Sequence, residues 1–210
     1  MFISLGTIRS KLLIGFSSVF VLILLLSMWG FHALVKNTIE KNIEEQLENS
    51  TAAILAMVNS SINLSIKNHL RAIAQDNKQM VEFYYNKYKQ GLMTEAVARA
   101  EARAELLSKR IAKTGYLYCA SSNGVAVVHP DPGVENHQFL NFKFVQEQVK
   151  RKEGYLTYEW KNSGELKARP KVLYMTYFEP WDWIISASSY REEFLHLVNV
   201  DDFRDDVLKL

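Results

Sequence analysis

Cysteine is nearly missing from this chain: Cys119 stands alone among 210 residues. A single thiol cannot close an internal disulfide, and it excludes zinc ribbons and CxxC redox chemistry. Inside a strand pattern such a thiol reads as a small hydrophobe. An excess of one charge is missing too. Lys and Arg number 25 against 23 Asp and Glu, for a formal net charge of +2. No long basic run exists, so a nucleic-acid partner is excluded. The signatures of common catalysts are absent: no Walker A loop, no GxGxxG, no HExxH, no GxSxG elbow, no SxxK. The chain is therefore read as a non-enzyme with no cofactor.

Glycine and proline are scarce where helices would need them to be. Residues 31–114 hold one glycine, Gly91, and no proline, whereas residues 115–190 hold five glycines and all four prolines. The first stretch can be long helix; the second must turn often. The division fits one domain with appendages.

What is present begins with residues 12–31, LLIGFSSVFVLILLLSMWGF, which carry no charge and no proline. Twenty residues at about 1.5 Å each span about 30 Å, the hydrocarbon thickness of a bilayer. Thirteen of them are Leu, Ile, Val or Phe, which favours insertion by about 4 to 8 kcal/mol. The run is longer than a signal-peptide core and has no small-residue cleavage site after it. It is read as an uncleaved transmembrane helix, with Trp29 at an interface. Arg9 and Lys11 precede it, so residues 1–11 are assigned to the cytoplasm. The protein is then a single-pass inner-membrane protein whose soluble part is periplasmic or extracellular.

Past the membrane, apolar residues recur about one helical turn apart at Val35, Ile39, Ile43 and Leu47, then at Ile54, Val58, Ile62, Ile66, Leu70 and Ile73. Such a stripe serves as core, as a homodimer seam, or as both. A second helix is expected at about Lys78 to Gln90, ending at Gly91. A third opens on Thr94, an N-cap followed by Glu95, and runs through EAVARAEARAELLSKRIAK. The period then changes to two. Tyr116, Tyr118 and Ala120 share one strand face, with Leu117 and Cys119 on the other. Asn123-Gly124 turns the chain into a return strand, Val125 to His129. A loop over 131–141 and a short amphipathic helix over 142–151 follow. Three more strands are expected at 154–161, 171–178 and 183–189. The fold class is α+β: long N-terminal helices packed on a five-stranded, mainly antiparallel sheet. The N-terminal helices are expected to provide its cover.

His129 and Asp131, two residues apart, invite a catalytic or metal reading. Zinc would need three or four ligands at workable spacing, and only His137 joins them. The other readings are a strand-end histidine before a Pro-stiffened loop, and a histidine that touches a ligand. Fourteen of the 25 aromatics fall in 115–190, enough to pack a sheet while offering OH and NH groups to a pocket. Lys171 shares a strand face with Leu173, Met175 and Tyr177. It is either a solvated strand-edge charge or the cation that holds an anionic ligand.

Several strings occur in a recurring order: GYLYCASSNGVAVVHPDPG, EGYLTYEWK and RPKVLYMTYFEPWDWIISASSYREEF. Their fixed points are Gly115, Tyr116, Tyr118, His129, Pro130, Gly154, Tyr155, Pro170, Lys171, Tyr174, Pro180, Trp181, Trp183 and Tyr190. In this order they resemble a Cache sensor domain of the single-domain group found in bacterial transmembrane receptors. The resemblance covers about residues 36–197. It departs from the pattern at Ser188-Ser189-Tyr190, where a Gly-x-Tyr ending is the norm. It implies a PAS-like fold outside the cytoplasm that binds small organic acids or amines. It further implies a signal passed through the membrane to an output such as a histidine kinase, chemotaxis module or cyclase.

These observations together predict a membrane-anchored sensor over 36–198, helical over 36–114 and sheet over 115–190. Its ligand would be a small molecule, a carboxylate in preference to an amine. The pocket is expected between the sheet and the third helix, lined by Tyr116, Tyr118, His129, Lys171, Tyr174 and Trp183. The segment 199–210 echoes the helix before Gly115 (Arg204-Asp205-Asp206-Val207-Leu208 against Arg103-Ala104-Glu105-Leu106-Leu107) and is expected to lead into a second, similar domain of a longer receptor. The rival is a dimerising, membrane-anchored interaction module without a small ligand.

Overall fold

The computed structural model describes residues 8–197; the segment 199–210 and most of the N-terminal tail lie outside these. Two units are distinguished, Met1–Met57 and Val58–Leu210. In the first, helix α1 (Ile8–Lys89) leaves every side chain of residues 12–31 exposed. Ile39, Ile43 and Leu47 are exposed as well.

In the second unit α1 buries Ile62, Ile66, Leu70, Ala74, Asn77 and Val81, the four- and three-residue spacing of a single helix face. The separate helix expected from Lys78 is not separate: α1 runs on to Lys89. Asn77, just before the expected start, does not cap a new helix. Its Nδ2 donates 2.7 Å back to the Ile73 carbonyl, and its Oδ1 accepts from Lys109 Nζ at 2.9 Å. The true end is a Schellman motif. Gly91, at φ 73°, donates to the Tyr88 carbonyl, and Leu92 donates to that of Lys87.

Helix α2 (Glu95–Ser108) starts on Thr94, whose hydroxyl accepts from the Val97 amide at 3.3 Å. Its inward face is Ala98, Ala102 and Leu106, and the small alanines let the helix approach the sheet closely. It ends earlier than expected because residues 110–111 leave it to form β1 (Arg110–Ile111). This strand pairs with the start of β2 (Gly115–Ala120). Two residues carry no readable period, so a sixth strand went unexpected.

The sheet order is β1-β2-β6-β5-β4, with β3 (Ala126–Val128) also on β2. The remaining strands are β4 (Gly154–Trp160), β5 (Arg169–Phe178) and β6 (Trp183–Tyr190), and every pairing is antiparallel. Strand β6 is central and buried at every position. Gly115 explains the first residue of the GY signature: a Cβ there would stand 2.4 Å from Ser189 Cβ and 2.5 Å from the Ser188 carbonyl.

The two sheet faces have different covers. One carries Leu117, Cys119, Val172, Tyr174, Ile185 and Ala187 against α1 and α2. The other carries Tyr118, Ala120, Leu173, Met175 and Ile184. It is roofed by helix α3 (Lys143–Arg151), through Phe144 and Val149. The N-terminal helices are thus not the sole cover.

Candidate functional site

The site lies on the α3 side of the sheet. Tyr116, Tyr118 and Ala120 come from β2, Tyr158 and Trp160 from β4, and Phe144, Val145 and Gln148 from α3 and its start. They line a partly open cavity of about 40 Å³, room for about three waters at roughly 10–15 Å³ each. An open cleft of about 400 Å³ adjoins it, sharing Tyr116, His129, Val134 and Trp160. Those four side chains border both the cavity and the cleft.

The segment between β3 and α3 is tied down at several points. Asn136 donates to the Ala126 carbonyl and Phe139 to that of Gly124, at 2.8 and 2.9 Å. Glu135 receives both Nε and Nη2 of Arg103, at 2.8 and 2.7 Å, which fixes the segment to α2. Gly124 is required twice over. Its φ is 72°, and a Cβ would meet Leu140 at 2.6 Å.

His129 is buried at the end of β3. Its Nδ1 accepts from the Asp131 amide at 3.0 Å, which leaves the proton of the neutral ring on Nε2. Burial lowers its pKa, only partly offset by the Asp131 carbonyl, which lies 3.3 Å from the same nitrogen. The ring packs edge-on against Tyr116 and Tyr118, at 5.1 and 5.9 Å between centroids. The Asp131 carboxylate turns to the Gly133 amide, at 2.8 Å, and so does not orient the imidazole as a catalytic partner would. His137 is exposed, with Nδ1 at the Glu135 carbonyl. Among the described residues no group of three metal-ligating side chains forms.

Lys171 is fully buried, so the solvated strand-edge reading does not hold. Its Nζ donates to Asn162 Oδ1 at 2.8 Å. It lies 4.0 Å from the Tyr116 ring centre and 5.2 Å from that of Tyr190. Among the described residues it makes no ion pair. Burial pulls its pKa down to about 7, with Glu165 and Glu193 opposing from a distance. Tyr116 lines the cavity and Asn162 lines the cleft, while Lys171 lines neither.

The deep wall is polar. Tyr158 bonds Ser188 Oγ at 2.9 Å and stacks on Phe144, with centroids 4.2 Å apart. Gln148 Nε2 donates to Ser186 Oγ at 2.9 Å. Gln148 Oε1 is shielded and has no hydrogen-bond partner among the described residues, and the shielded Tyr118 hydroxyl has Gln148, Ser186 and Tyr158 as its hydrogen-bonding neighbours.

Of the six residues singled out from sequence, Tyr116, Tyr118 and His129 line the cavity, with Lys171 behind Tyr116. Tyr174 and Trp183 lie on the opposite face, in the core against the N-terminal helices. Strand parity explains it: Lys171 and Tyr174 are three apart, so they point to opposite faces. The expected pocket between sheet and α2 is filled by Ala98, Ala102, Leu106, Leu117 and Cys119. Gln148, Tyr158 and Phe144 were missed. The signal for Gln148 was an amide four residues after Phe144, on the apolar stripe of a short helix. For Tyr158 and Trp160 it was their alternation with Leu156.

A family model described as Cache domain matches residues 32–209. The chain belongs to the Cache domain family. Solved structures share the fold of this Cache domain. A periplasmic sensor domain of a chemotaxis protein is 22% identical, with TM-score 0.53, covering 59% of this chain and 94% of its own. A Cache chemosensory domain described for carboxylic acid recognition is also 22% identical, with TM-score 0.53, covering 59% and 91%. A methyl-accepting chemotaxis protein from Vibrio parahaemolyticus is 17% identical, with TM-score 0.57, covering 67% and 98%.

Proposed function

We propose that this Cache domain is a membrane-anchored extracytoplasmic sensor that binds a small carboxylate without transforming it. The observation that carries the proposal is Lys171: a fully buried cation whose hydrogen-bond acceptor is the neutral Asn162. A buried charge without a counter-ion is costly, and an anion at the shared wall would supply one. His129 Nε2 adds a donor there, and the aromatic cavity accepts a short hydrocarbon body. Its small volume favours ligands of few carbon atoms. The carboxylic acid recognition described for one structural relative agrees with this chemistry. Residues 12–31 anchor the chain with its N-terminus in the cytoplasm, and the ligand signal passes through that helix. Calorimetric titration of the full chain in detergent with small acids and amines tests the proposal. Saturable binding of a short acid is the expected result; binding of amines alone would overturn it.

A homodimer is part of the same proposal. Ile39, Ile43 and Leu47 are exposed at four-residue spacing on α1, a stripe that a second copy would cover. Cysteine cross-linking at Ile43 in membranes should trap dimers. An unlinked chain at every position from 39 to 47 would contradict the seam.

A further inference from the structure

We propose, resting on the sensor reading above, that the 3-10 helix Arg191–Leu197 is a latch for the cleft, so that the cleft rim and this helix move together. The turn between β4 and β5, residues 161–168, forms one rim through Lys161, Asn162 and Ser163; Thr114, just before β2, lines another part. Two adjacent glutamates on the helix hold one rim each. Thr114 donates its amide and its hydroxyl to the buried Glu193 carboxylate, at 3.0 and 2.5 Å. At the other rim, the hydroxyl of the fully buried Tyr190 accepts from the Asn162 amide at 3.0 Å and donates to the Glu165 carboxylate. Arg169 lies over the Tyr190 ring, 3.6 Å from its centre, and joins Glu165 to Glu192.

Successive side chains on a 3-10 helix diverge by about 120°, because three residues make a turn. Neighbouring glutamates can therefore reach different rims from one short helix. The turn has few other ties. Among the described residues, every side-chain hydrogen bond and ion pair of 161–168 runs through Asn162 or Glu165. Asn162 faces both ways: its Oδ1 accepts from Lys171 at 2.8 Å and lies 3.4 Å from the Tyr116 hydroxyl, while its amide reaches Tyr190. A ligand that shifts the rim at Asn162 therefore pulls on Glu165, Arg169 and Glu192 in turn. The dependence is reciprocal: whatever biases the helix changes the affinity of the cleft by the same factor. An exposed ion pair contributes little alone, but Arg169 serves two carboxylates while stacked on a buried ring.

Amide hydrogen exchange of the full chain in detergent, read by mass spectrometry over 161–168 and 191–197, tests this. Glu192→Gln alters only the helix, yet it should speed exchange in 161–168 by about two- to fivefold. Glu165→Gln alters only the turn, yet it should speed exchange in 191–197 by a similar factor. The Glu192 side chain is 57% exposed, so the first variant should keep the wild-type melting temperature and remain assayable. Unchanged exchange in the unmutated segment of either variant would overturn the latch. Propionate serves as the ligand probe. It should slow exchange in both segments of the wild type but, in Glu192→Gln, in 161–168 alone. Protection of 161–168 alone in the wild type would overturn the latch and leave the carboxylate reading standing. Protection of neither segment would overturn the carboxylate reading, and the cross-effects of the two variants would still decide the latch.

Discussion

The ammonium of Lys171 lies 4.0 Å from the centre of the Tyr116 ring, a ring that lines both the cavity and the cleft. The contact is a cation–π interaction in a desolvated setting, of a kind worth about 2 kcal/mol. It offsets part of the cost of burying the charge and places a cation against a ring that borders both spaces. The two residues are diagonal neighbours across the sheet: Lys171 is opposite Tyr190, and Tyr116 is opposite Ser188 two residues earlier on β6.

The pH response follows from that burial. Lys171 titrates at about 7 in the folded chain, against 10.5 ordinarily. Between these values the unfolded chain binds more protons, so this residue makes stability rise with pH from about 7 to about 10. The destabilisation is fully present only below about 7. Around the ammonium stand Asn162, Tyr116 and Tyr190, with Tyr158 its cross-strand neighbour on β4. Glu165, Glu193 and Arg169 act from farther off, and His129 feels its charge. A bound carboxylate restores the charged form, so binding at pH 8 should take up about one proton. Titrations in buffers of different ionisation enthalpy measure this; the uptake should vanish in Lys171→Met.

Glu193 ties the segment after β6 to the start of β2. Its carboxylate accepts from the Lys113 and Thr114 amides at 3.1 and 3.0 Å, and from Ser189 Oγ at 2.6 Å. Burial works to raise its pKa, but the Ser189 and Thr114 hydrogen bonds outweigh burial and hold it below the usual carboxylate value. Its contribution is therefore present at neutral pH and lost as pH falls through the folded pKa. Glu193→Ala should cost about 2 to 4 kcal/mol at pH 7, since several donors are left unpaired. Denaturant melts at pH 7 and pH 4 check it; the wild-type advantage should shrink at the lower pH.

Gly115→Ala should destabilise the domain by about 1 to 3 kcal/mol through overpacking. The added methyl meets strand backbone and a Cβ rather than the flexible end of a side chain. Gly164→Ala is a useful contrast. Gly164 has φ 85° but nothing within 4 Å, so only backbone strain applies. Thermal melts of the two variants separate crowding from conformation, with the larger loss expected at Gly115.

Much of this architecture was legible because its signals are local. The Thr94 cap, the Asn123-Gly124 turn and the alternation through Tyr116 to Ala120 each announce their own structure. Strand β1 was not legible because two residues have no period. The continuity of α1 past Asn77 was hidden because a capping residue type bonds backward instead. The site was half legible. Alternation placed Tyr116 and Tyr118 on one face of their strand and Lys171 with Leu173 and Met175 on one face of another, and the same rule, applied strictly, would have removed Tyr174. Which face held the cavity depended on packing: the alanines of α2 close one side, and the aromatic roof of α3 leaves space on the other. Gln148 emerges only when helix and sheet are brought together.

The most direct test of a carboxylate sensor is calorimetric titration of short carboxylic acids into the full chain, beside Lys171→Met. Methionine keeps the side-chain length and removes the charge, so the variant should fold at least as stably as wild type. Saturable binding to wild type, weakened at least about tenfold in the variant, is the predicted result. Equal affinity in the two proteins, or no binding to a folded wild-type chain, would contradict it.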